Sequence, residues 1–123
     1  MDDYRAQQVE ALSVAHEYSG KLLNGIANIS AELTGKRLLD TDQYLKELIN
    51  GLNWIIEVIN RTSDVLKEDG VDFNNDEVNA VIRELGDALR SKEDLRIEAA
   101  LSGGVKDFIQ KVEEVTASYA NPS

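Results

Sequence analysis

Cysteine is absent from the 123 residues, which removes disulfides, thiolate nucleophiles and cysteine-ligated zinc or iron–sulfur centres from consideration. One proline and eight glycines leave little turn material for a β-rich architecture. A di-iron bundle requires two Glu-x-x-His pairs, yet the only histidine is His16 and the residue three before it is Ser13. Basic side chains are outnumbered, 13 Lys and Arg against 23 Asp and Glu, for a net charge of −10. Binding a phosphate backbone needs clustered Lys and Arg to displace counterions, so nucleic acid is excluded as a partner and an anionic membrane is disfavoured. No apolar run approaches the ~20 residues of a membrane span, and MDDYRAQQVE has neither a basic leader nor an apolar core. The expected location is cytoplasmic, with no membrane partner.

What the chain does contain is helical periodicity. Apolar residues make up 42% and charged residues 29%, ordinary for a globular protein of this size with a single core. The most strongly patterned stretch is 41–66, TDQYLKELINGLNWIIEVINRTSDVL. At about 100° per residue, Leu45, Leu48, Ile49, Leu52, Ile55, Ile56 and Ile59 share one arc, which Leu66 continues. Asp40 or Thr41 can cap the first amides. The other segments read as helices packed against this one.

The full pattern predicts an all-α, antiparallel (up-down-up-down) four-helix bundle, with helices near 3–34, 41–67, 75–90 and 92–118. A single domain over 1–119 and a frayed tail at 120–123 follow. In the first helix Val9, Leu12, His16, Ser19, Leu23, Ile26, Ser30 and Leu33 mark a 3-4 seam. Gly35 ends that helix and a short link turns the chain back. Asn74 with Glu77 matches a capping box for the third helix, and Phe73 can fold back as a hydrophobic staple. Ser91 to Asp94 reads as a break. One helix through Gly103-Gly104 keeps the phase of Ile97, Leu101, Val105, Phe108 and Val112, with a kink or split at the glycines as the alternative.

Chemical motifs are few. Glu84-Leu85-Gly86-Asp87 supplies half of the carboxylate set by which MazG-like helical pyrophosphohydrolases hold magnesium, but Glu-x-x-Glu occurs nowhere in the chain. Asp72 to Asp76 imitates the start of a calcium loop, then places Glu77 where glycine is needed and Arg83 where a bidentate glutamate is needed. His16 reads as a hydrogen-bonded core or boundary residue. The sequons at Asn28 and Asn60 fall inside helical patterns and read as chance matches. No metal or cofactor is expected.

Surface chemistry is left. Trp54, Val58 and Val65 fall near 180–220° on the wheel of the second helix, opposite the main arc. They are either core against a second neighbour or an interaction surface for a partner. The order of four helices, and the run Glu84-Leu85-Gly86-Asp87-Ala88-Leu89 leading through Ser91-Lys92-Glu93-Asp94 into another helix, resembles small uncharacterised bacterial helical proteins. It is distantly similar to flagellar export chaperones of the FliS type over about residues 20–117. That resemblance implies a bundle that holds a helical segment of a partner in an apolar groove. The expected function is a non-enzymatic adaptor or chaperone binding another protein or helical peptide. A carboxylate-metal hydrolase using Glu84 and Asp87, and a structural homo-oligomer such as a homodimer, are the alternatives.

Overall fold

A computed structural model describes residues 2–120, and among these the chain is helical with no strand. Six α-helices follow in order: α1 (Asp2–Thr34), α2 (Thr41–Arg61), α3 (Ser63–Glu68), α4 (Asn75–Ser91), α5 (Asp94–Ala100) and α6 (Lys106–Ala120). A π-helical turn, Leu101–Val105, joins α5 to α6. Ala120 closes α6, and the rest of the expected frayed tail lies outside the described residues.

Local chemistry explains most boundaries. Asn74 Oδ1 accepts from the amides of Asp76 (2.9 Å) and Glu77 (3.3 Å), which fixes the start of α4. Lys92 ends α4 in the left-handed conformation, with φ at 59°, and this produces the expected break before α5. The chain passes through Gly103-Gly104 by a π turn in which Gly103 leaves helical geometry, the kinked form of the two alternatives. Two expectations fail. Neither Asp40 nor Thr41 caps α2: Thr41 is fully buried, and its hydroxyl donates to Glu32 (2.7 Å) while accepting from the Leu38 amide (2.8 Å). The helix expected over 41–67 also breaks at Thr62, whose buried hydroxyl takes the Val58 carbonyl at 2.7 Å and competes with the backbone ladder.

The common partner of most other elements is α1, not α2 as its stronger pattern suggests, because α1 touches α2, α3, α5, the π turn and α6, while α4 packs on α5 and the π turn. It is the longest helix, and Ala15 and Ser19 on its inner face are fully buried, so a neighbour can approach closely. Thr41 meets Glu32, Tyr44 meets Asn28 and Trp54 meets Tyr18, so α2 runs antiparallel to α1. Glu98 meets Ser30 and Thr116 meets His16, so α5 and α6 return along α1 as well. Leu22 and Ile26 of α1, Leu48 and Leu52 of α2, Leu85 of α4 and Ile109 of α6 converge around a void of only about 10 Å³. Leu52 is buried, as its place on the arc predicts.

Candidate functional site

The outer seam of α1 and α2 opens into a groove of about 650 Å³ lined in part by Gly51, and two glycines let the helices approach closely. A Cβ at Gly51 would overlap the Tyr18 hydroxyl, and a Cβ at Gly25 would overlap a Leu48 methyl. Each helix therefore offers a notch to a large side chain of the other, and Tyr18 can lie across α2. The Trp54 ring stands edge-on to Tyr18, with centroids 5.5 Å apart and an interplanar angle of 86°. Such a T-shaped pair holds both rings in place without covering their outer surfaces. Val14, 47% exposed, extends the apolar floor by one turn. Glu17 and Lys21 of α1 and Glu47 and Asn50 of α2 form the rim.

Of the three residues singled out from the wheel, only Trp54 belongs to this surface. Val58 and Val65 are core, 1% and 4% exposed. The buried arc of α2 runs from Gly51 and Val58 round to Leu45, so its centre lies roughly 60° from the line drawn through Leu45. Gly51 faces Tyr18 and Leu22 of α1, and Val58, two turns further along the same stripe, is buried as well. Val65 lies beyond the Thr62 break on α3, where it is also buried. Trp54 stands at the margin of the arc, which is why it is half-buried and lines the groove.

A family model described as a domain of unknown function, DUF8042, matches residues 10–118, a span that includes both walls of the groove. The chain belongs to that family. No curated protein and no solved structure matches it significantly.

Elsewhere in this DUF8042 chain several polar groups hold helices together. His16 donates from Nδ1 to the Glu113 carbonyl (2.8 Å), joining α1 to α6 as a boundary histidine does. Arg5 bridges Glu68 (2.8 Å) and Asp69 (3.1 Å), and the Tyr119 hydroxyl donates to Asp69 at 2.5 Å. The Tyr119 bond, with the Arg5 charge, holds the Asp69 carboxyl below the usual range, while burial and the same carboxylate push Tyr119 up to about 12. At the opposite end Arg37 grips Asp94 with two bonds (2.8 and 2.7 Å) and Asp42 with one (2.5 Å).

The metal alternative gains no donor set. Asp87 is bonded to Arg90, and Glu84 lies beside Gly104 on the α4 face. Among the described residues no group of three or more His, Asp or Glu is placed to hold a metal ion. No described helix is long and apolar enough to cross a membrane. Of the groove lining only Trp54 was singled out from the sequence; Val14, Tyr18 and Gly51 of the floor and the four polar residues of the rim were missed. The available signal was a glycine in the middle of the most apolar helix, where it costs about 1 kcal/mol unless a close approach requires it.

Proposed function

We propose that this is a non-enzymatic, cytoplasmic protein-interaction domain, an antiparallel four-helix bundle whose α1–α2 groove receives an amphipathic helix with basic flanks from a partner protein. The observation that carries the reading is the Trp54–Tyr18 pair at the floor of an open groove, since large aromatic rings in a notch are the usual anchors of helix-in-groove recognition. Charge chooses the occupant. Glu17 and Glu47 line the rim with no ion pair among the described residues, against one rim cation, Lys21; Glu10 lies two turns before Glu17 on α1, and the whole chain carries −10. A second copy would set these carboxylates against each other, whereas Lys or Arg beside an apolar stripe would meet them. The resemblance of helix order to FliS-type export chaperones points to the same mode of binding.

Titration calorimetry with a synthetic leucine/lysine amphipathic helix, against a leucine/glutamate helix of identical pattern, tests this. The basic helix is expected to bind with an affinity that falls as salt rises. Trp54→Ala should weaken it by at least about tenfold, and Glu17→Gln with Glu47→Gln should remove most of the salt dependence. Equal binding of both peptides, or an unchanged affinity in Trp54→Ala, would overturn the reading.

A further inference from the structure

One sequence pattern recurs in the two helices that wall the groove. Residues 18–25 read YSGKLLNG and residues 44–51 read YLKELING, so tyrosine, leucine, asparagine and glycine return at a constant spacing of 26 residues. The recurrence extends to packing. Between 14–34 and 40–60 the state of the side chain, buried, half-buried or exposed, is the same at 17 of 21 paired positions. The contacts are reciprocal as well. A Cβ on Gly51 would meet the Tyr18 hydroxyl and a Leu22 methyl, and a Cβ on Gly25 would meet the Tyr44 hydroxyl and a Leu48 methyl. Tyr18 touches Trp54, three residues past Gly51, and Tyr44 touches Asn28, three residues past Gly25.

An antiparallel pair with reciprocal contacts has a local two-fold axis. Lys21 and Glu47 exchange places under it and both are exposed on the rim of the groove, so the axis leaves the molecule between them. It divides the outer face of the seam into two halves of equal frame and unequal chemistry. On one side stand Val14, Tyr18 and Trp54, the floor of the groove. Their counterparts across the axis are Asp40, Tyr44 and Asn28, and there Asn28 Nδ2 donates to the Tyr44 hydroxyl at 3.4 Å. Asp40 and Asn28 are exposed and Tyr44 is half-buried. Leucines laid on the first half displace water from aromatic rings. Leucines laid on the second would strip water from an amide, a carboxylate and a phenol without replacing the bonds that water makes.

We propose that the seam reads a partner helix of two unlike halves, with leucine-type residues over Tyr18 and Trp54 and glutamine- or serine-type hydrogen-bonding residues over Tyr44 and Asn28. This rests on the groove receiving a partner helix, and it specifies that helix. Tyr18 and Asn28 are ten residues apart on α1, or about 15 Å at 1.5 Å per residue. The apolar anchor and the hydrogen-bonding group of the occupant are therefore separated by about three turns. Asn28 is the specificity-determining residue. It stands where a second copy of Trp54 would have continued the aromatic floor, and so it works against any helix whose inner face is apolar throughout.

Titration calorimetry with two lysine-flanked synthetic helices of equal length and charge reads the discrimination. One carries leucine along its whole inner face, and in the other the leucines of one half are replaced by glutamine. Wild-type protein is expected to bind the half-substituted helix at least about tenfold tighter. Asn28→Leu with Tyr44→Phe should reverse that order while leaving the melting temperature nearly unchanged, because Asn28 is exposed and the ring at position 44 is kept. Tighter binding of the all-leucine helix by the wild type, or an unchanged preference in the double variant, would overturn the proposal. If Trp54→Ala still weakens both peptides in that case, the groove reading survives. Binding of neither peptide would overturn both. A wild-type dimer in sedimentation velocity that neither peptide dissociates would overturn the proposal in favour of a second copy as the occupant.

Discussion

Trp54 and Val58 lie one turn apart on α2 and have opposite surroundings, since Val58 is buried in the core and Trp54 lines the groove. Val58→Ser places an unpaired hydroxyl in a packed core and is expected to cost about 2–4 kcal/mol in urea unfolding. Trp54→Ala should cost less than half as much, because its ring already faces solvent on one side. Acid and base act on other residues. The folded-state values of Asp69, Asp94 and Glu98 are depressed, mainly by hydrogen bonds from Tyr119, Arg37 and Ser30 respectively. Their contribution is therefore complete above the ordinary carboxylate range near ~4 and is lost as pH falls through the depressed values. Tyr119 is raised instead, so the stabilisation of its protonated form is complete below its ordinary value and fades as pH rises from about 10 to about 12. Melting temperatures recorded across pH should fall in both windows, and Tyr119→Phe should flatten the alkaline one.

Among the elements, helix identity was readable and helix environment was not. Apolar periodicity is a local signal, so α1 and α4 appear in the sequence within about a residue of their true ends, and α2 at its start but not at its end. The breaks depended on side-chain competition that a wheel does not register: the Thr62 hydroxyl takes the Val58 carbonyl, and Thr41 is drawn inward by Glu32 instead of capping α2. The wheel likewise located the apolar stripe of α2 and misplaced its centre, because the choice of Val58 over Trp54 as core depends on where α1 lies. Gly51 held that information, as its missing Cβ is the space Tyr18 uses. Gly51→Ala should therefore displace Tyr18, lower stability by about 1–3 kcal/mol and reduce binding in the groove. At the end of α4 the strain runs the other way. Lys92 holds a φ of 59°, which glycine adopts freely, so Lys92→Gly is expected to stabilise the fold by up to about 1 kcal/mol in thermal or urea unfolding.

For the whole molecule, the net charge of −10 bears on the chemistry of a partner. On the rim of the groove Glu17 and Glu47 outnumber Lys21, and this is the ground for proposing a basic helical partner over self-association. The proposed role requires the Trp54 surface to be open in the free chain and closed by that partner. Trp54 is the only tryptophan, so its emission reports on this one position. The direct measurement is acrylamide quenching of Trp54 at a concentration where sedimentation velocity shows only monomer, before and after saturation with the leucine/lysine helix. The predicted result is efficient quenching of the free monomer and strong protection, with a blue shift, in the complex. A free monomer whose Trp54 is already blue-shifted and protected, or a peptide-bound form quenched as readily as the free one, would contradict it.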